Sequence, residues 1–85
     1  MKKNMETPSR SKRFQNALDK LSDARFEIEE LRDELQNWLD NMPENLQQSN
    51  KASELEDAIN NLDDVVNNIE QVEGEANVTF PGMFS

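Results

Sequence analysis

Large apolar side chains recur every seven positions through the first half of the chain, at Phe14, Leu21, Ile28, Leu35 and Met42. A second row stands three residues behind, at Ala17, Ala24, Leu31 and Trp38. These are the a and d rows of a heptad pattern, the signature of a long helix that packs along one stripe. Leu18 and Leu39 widen the stripe at position e, while Arg25 and Arg32 hold e in the middle. Thr7-Pro8 reads as an N-cap followed by proline at the first helical position, where its missing N–H costs nothing. The pattern predicts a helix over 8–41, behind a basic arm at 1–7. Pro43 excludes helical geometry from Met42, so the helix must stop nearby.

A second helix is predicted over 50–73, after a turn at 42–49 in which Leu46 packs against the hairpin end. Its pattern is an internal repeat: Leu55-Glu56-Asp57-Ala58-Ile59-Asn60-Asn61 is followed by Leu62-Asp63-Asp64-Val65-Val66-Asn67-Asn68, and a decaying copy begins at Ile69. Position a is Leu55, Leu62 and Ile69; d is Ala58, Val65 and Val72; e is Ala52, Ile59 and Val66. Ser53 with Glu56 either forms a capping box or lies in a helix already running from residue 50, and Gly74 reads as the C-terminal stop. Two matching stripes joined by a short connection predict an all-α fold, an antiparallel two-helix hairpin. A turn centred near residue 45 places Leu35 opposite Glu56 and Ile28 opposite Leu62, with Phe14 beyond the end of the second helix. Trp38 is expected in the seam. Residues 74–85 read as a non-helical hydrophobic tail, with a type II turn at Phe80-Pro81-Gly82-Met83.

Composition narrows the chemistry. Apolar residues make up 34% of 85, so a single hairpin is thinly stabilised, and the three-row stripe is wider than one seam buries. Pairing of two hairpins into a four-helix bundle is the expected remedy. Cysteine and histidine are both absent, which removes disulfides, thiol nucleophiles, Cys/His zinc sites and Ser-His-Asp triads. No cofactor or metal is expected, since adjacent aspartates diverge around a helix and no calcium-loop spacing appears. An enzyme would need a concave pocket that a two-helix rod does not offer, so none is expected. The net charge of −9 argues against direct nucleic-acid binding. No apolar run suits a membrane span, and Met1-Lys2-Lys3-Asn4-Met5-Glu6 lacks the apolar stretch of a signal peptide, so a cytoplasmic protein is expected.

Charge is also uneven. Residues 1–25 carry +4 and residues 26–85 carry −13. Glu56, Asp57, Asp63, Asp64 and Glu70 form an acidic stripe at b and c of the second helix. It reads either as a solvated face or as a phosphate-like surface that fills a nucleic-acid-binding protein's groove. Phe26, at f, is a candidate partner contact or an isolated exposed ring. In the tail, Val78 and Phe80 either fold back over the unpartnered end of the first helix or, with Met83 and Phe84, form a recognition peptide. The basic residues Lys2, Lys3, Arg10, Lys12 and Arg13 suit a solubilising end, an acidic neighbour or phosphates.

The connection Asp40-Asn41-Met42-Pro43-Glu44-Asn45-Leu46-Gln47-Gln48-Ser49, followed by an acidic helix, resembles small acidic helical-hairpin proteins of tailed bacteriophages and prophages. The resemblance spans about residues 25–72 and transfers no catalytic residue. It implies a phage-encoded protein working in the bacterial cytoplasm. The leading expectation is a non-enzymatic interaction protein, a homodimer that binds and inhibits a host or phage protein partner. The alternative is a structural adaptor or scaffold in a phage assembly.

Overall fold

A computed structural model of the chain describes residues 9–81. It is an all-α helical hairpin. Helix α1 spans Arg10–Asp40, a single 3₁₀ turn covers Glu44–Leu46, and helix α2 spans Asn50–Glu75. The molecule measures 67 × 27 × 14 Å, a layer one helix thick. Among the described residues no helix is long and apolar enough to cross a membrane.

Both helices are capped by serine, at Ser9 and Ser49. Ser9 caps α1, its side chain accepting from the Lys12 N–H at 3.1 Å, so α1 begins at Arg10; Thr7 and Pro8 lie outside the described residues. Ser49 caps α2, accepting from the Ala52 N–H at 3.3 Å and donating to the Leu46 carbonyl. The Ser53–Glu56 pair is therefore inside the helix, not at its start. Gly74 does not stop α2, which runs one residue further to Glu75. A mid-helix glycine costs only about 1 kcal/mol relative to alanine, and nothing at Gly74 requires a left-handed backbone.

The connection is short and fully used. Asn41 directs both its backbone N–H and its side-chain amide to the Asn37 carbonyl, at 3.0 and 2.8 Å. Pro43 is extended (φ −57°, ψ 148°) and turns the chain into the 3₁₀ turn. Leu46 is exposed instead of packing against the hairpin end, because its backbone serves as the turn's hinge: its N–H donates to Pro43 and its carbonyl accepts from Ser49.

Packing selects two of the three apolar rows. Along α1 the half-buried apolar and arginine positions are Phe14, Leu18, Leu21, Arg25, Ile28, Arg32, Leu35 and Leu39, which are a and e; Ser22 and Glu29 at b are half-buried beside Arg25. Along α2 the buried residues are Ala52, Leu55, Ile59 and Val66, again a and e. The d row faces out. Ala17, Ala24, Leu31, Val65 and Val72 are exposed, and Trp38, expected in the seam, keeps 51% of its surface open. The register also differs from the sequence-based expectation: Arg32 pairs with Asp63, and Leu39 lies by Glu56. That moves α2 about one helical turn along α1. Arg32 and Asp63 are equidistant in sequence from a point between Gln47 and Gln48, not from residue 45.

Ser49→Ala removes the α2 cap and should destabilise the hairpin by about 1 kcal/mol. Thermal unfolding followed by circular dichroism should show a midpoint lower by about 4–8 °C.

Candidate interaction faces

In an antiparallel pair, equivalent heptad rows of both helices turn to the same side of the layer. The hairpin therefore has two different broad faces. One carries the b rows and the ion pairs; the other carries the d rows. A groove of about 500 Å³ at the open end is lined jointly by Ala17 and Val72, with Phe14, Leu18 and Leu21, which places both d rows on one side.

Arg25 and Arg32 organise the b side. They stand at e of α1, where their stems cover α2 and their guanidinium groups reach past it. Arg25, only 15% exposed, donates to Glu73 at 2.7 Å and to Glu29 at 2.9 Å, and lies 3.7 Å from Glu70. Arg32, 29% exposed, donates to Asp63 at 2.8 Å. The hydrogen bond to Glu73 chiefly raises the Arg25 pKa above the ordinary arginine value, against an opposing effect of burial; Asp63 does the same for Arg32. A raised pKa favours the fold below the ordinary value and loses that contribution only as pH climbs through the raised one. The clamps are therefore fully charged throughout the physiological range.

These clamps divide the acidic stripe. Asp63 and Glu70 are drawn into intramolecular pairing. Glu56, Asp57 and Asp64 make no ion pair or side-chain hydrogen bond among the described residues. Glu56 and Asp57 line a shallow hollow with Gln36, Leu39, Ile59 and Asn60. No group of three or more described acidic side chains is arranged to hold a metal ion. Phe26 is 55% exposed, and the Arg25 guanidinium sits 4.8 Å from its ring centroid. This cation–π contact ties Phe26 to the clamp, a link that the spacing Arg25-Phe26 alone did not suggest.

The tail folds back. Phe80 meets Phe14 edge to face, with ring centroids 5.7 Å apart and an interplanar angle of 64°. Ala76, Asn77, Val78 and Phe80 line a second hollow with Ser11, Phe14 and Leu18, so the chain covers the end of α1 that outruns α2. Val78 remains exposed in this arrangement. Met83, Phe84 and the turn through Gly82 lie outside the described residues.

Phe80→Ala should lower the thermal midpoint by several degrees, since an edge-to-face pair contributes about 0.5–1.5 kcal/mol beyond its buried area. An unchanged midpoint would show that the tail contact does not stabilise the hairpin. No protein-family model matches this chain, and no curated protein or solved structure is significantly similar to it.

Proposed function

We propose that the chain is a non-enzymatic interaction protein, phage-encoded, that self-associates as a dimer and inhibits a host or phage protein in the bacterial cytoplasm. Its recognition surface is the acidic side of α2. The observation that carries this reading is the set of carboxylates left over after the arginine clamps are formed: Glu56, Asp57 and Asp64, the first two beside an apolar floor of Leu39 and Ile59. Such a surface fits a basic protein groove, including one that ordinarily holds nucleic-acid phosphates. The phage origin rests on the resemblance at Asp40-Asn41-Met42-Pro43-Glu44. Phe26, Met83 and Phe84 are further candidates for the same contact. The adaptor reading draws on shape, since a rod 67 Å long and 14 Å thick can bridge two partners.

Affinity purification from a bacterial host, with wild type and a Glu56→Gln, Asp57→Asn, Asp64→Asn variant, tests the proposal. Helicity should be unchanged, because all three side chains point outward. The captured protein should present a basic groove, bind the variant about tenfold or more weakly, and release as salt is raised. Equal binding by the variant at every salt concentration would remove the acidic face from the function. Copurification with virion components would favour the adaptor instead.

A further inference from the structure

The d face is apolar, continuous and open. Ala17, Ala24, Leu31 and Trp38 of α1 and Val65 and Val72 of α2 are all exposed on it, with Ala58 half-buried at its edge. Its outer margins are the g rows. On α1 these are Lys20, Glu27, Glu34 and Asn41; on α2 they are Glu54, Asn61, Asn68 and Glu75. All eight are exposed.

We infer that this face docks a second copy of the chain about a two-fold axis parallel to the helices, with the two connections at the same end. The inference rests on the self-association proposed above and gives it a face and a register. Such an axis leaves each residue at its own height, so α1 of one copy meets α2 of the other in the register the hairpin itself uses. Arg32 lies level with Asp63. Trp38 therefore falls on the partner's Ala58, Leu31 on the partner's Val65, and Ala24 on the partner's Val72. The largest side chain meets the smallest, as an interdigitated layer requires.

The margins agree with the same register. Lys20 comes beside the partner's Glu75, whose other contact is a 3.4 Å hydrogen bond from Gln71. Glu27 meets the partner's Asn68, Glu34 the partner's Asn61, and Asn41 the partner's Glu54. No like-charge pair arises in four contacts. This accounts for the second asparagine of each Asn-Asn pair in α2. Asparagine is a poor helix former, but an acid there would oppose the partner's glutamate, whereas an amide can donate to it. A two-fold axis across the helices stacks α1 on α1, and the register that puts Trp38 on the partner's Ala17 brings Lys20 to the partner's Glu34 but sets Glu27 beside the partner's Glu27, a like-charge contact that the parallel axis avoids.

Two measurements on the full chain test this. In light scattering at tens of micromolar, the protein should have twice its 9.8 kDa chain mass. Trp38 is the sole tryptophan, so its emission should move to longer wavelength as dilution separates the copies. For the register, a Glu34→Cys, Asn61→Cys variant should be joined between chains by a short bismaleimide and run as a covalent dimer. The two positions lie on opposite edges of one hairpin and cannot be bridged within it. A Lys20→Cys, Asn61→Cys variant, displaced by two heptads or about 21 Å, should remain largely uncrosslinked. A strict monomer with concentration-independent emission would overturn both the self-association and this interface. A dimer in which the second variant crosslinks as well as the first would keep the self-association and overturn the geometry. Loss of acidic-face binding in a protein that still crosslinks at 34 and 61 would overturn the recognition surface alone.

Discussion

A layer one helix thick has no interior, so this hairpin depends on a single seam between α1 and α2. The buried residues among those described are Ala52, Leu55, Ile59 and Val66, and all belong to α2. Helix α1 contributes none. Its side chains instead cover α2 from above and remain half exposed themselves. That asymmetry follows from side-chain length: the e row of α2 is small or β-branched, whereas α1 offers leucine and arginine at the matching positions. Two arginines in a seam would be costly if their charge were buried. Here only the stems lie over the apolar row, and the guanidinium groups emerge on the b side among carboxylates.

The same arginines reveal why the charges are distributed as they are. The first turn of α1 contains Arg10, Lys12 and Arg13 and no acid, and the last turn of α2 contains Glu73 and Glu75 and no base. Each end is unfavourable for its own helix dipole. The antiparallel arrangement sets the acidic last turn of α2 beside the basic N-terminal half of α1, where Glu73 accepts a direct bond from Arg25. A hairpin folded in the reverse orientation, or slipped by a heptad, would lose it.

The heptad spacing and Pro43 made two helices and an antiparallel hairpin legible from residue order alone. Which rows would meet was not legible, because a, d and e are all apolar in α2 and hydrophobicity does not rank them. Discrimination came from α1, where Trp38 on d is too bulky for a close seam and arginine on e can both cover and pair. Register was missed because the pairing is centred between Gln47 and Gln48 rather than at the middle of the connection, through contacts such as Arg32 with Asp63 that no periodicity encodes. The acidic stripe was visible as a stripe, but its division into clamped and free carboxylates depends on that register. The contact of Phe80 with Phe14 was one of two destinations the tail's composition left open, and helix length decided between them: α1 outruns α2, so an apolar end there needs a cover.

The two broad faces answer different physical demands, and their separation allows both to be used at once. The d face is apolar with margins that complement one another, so it suits association of like chains. On the other side, Asp63 and Glu70 are paired with arginines while Glu56, Asp57 and Asp64 are left without a basic partner, so that side disfavours a second copy. The proposed pairing through d would place these acidic surfaces back to back on the outside of a four-helix bundle, about a common axis. A partner with two basic sites would then engage both, at an effective concentration fixed by a rigid scaffold with no linker to order. Phe26 lies on this outer side, against the Arg25 guanidinium, and in the proposed complex would supply an apolar anchor. In the proposed dimer the d face is covered and the charged side stays outside, so one short chain would pair with itself without covering what it would present to a partner.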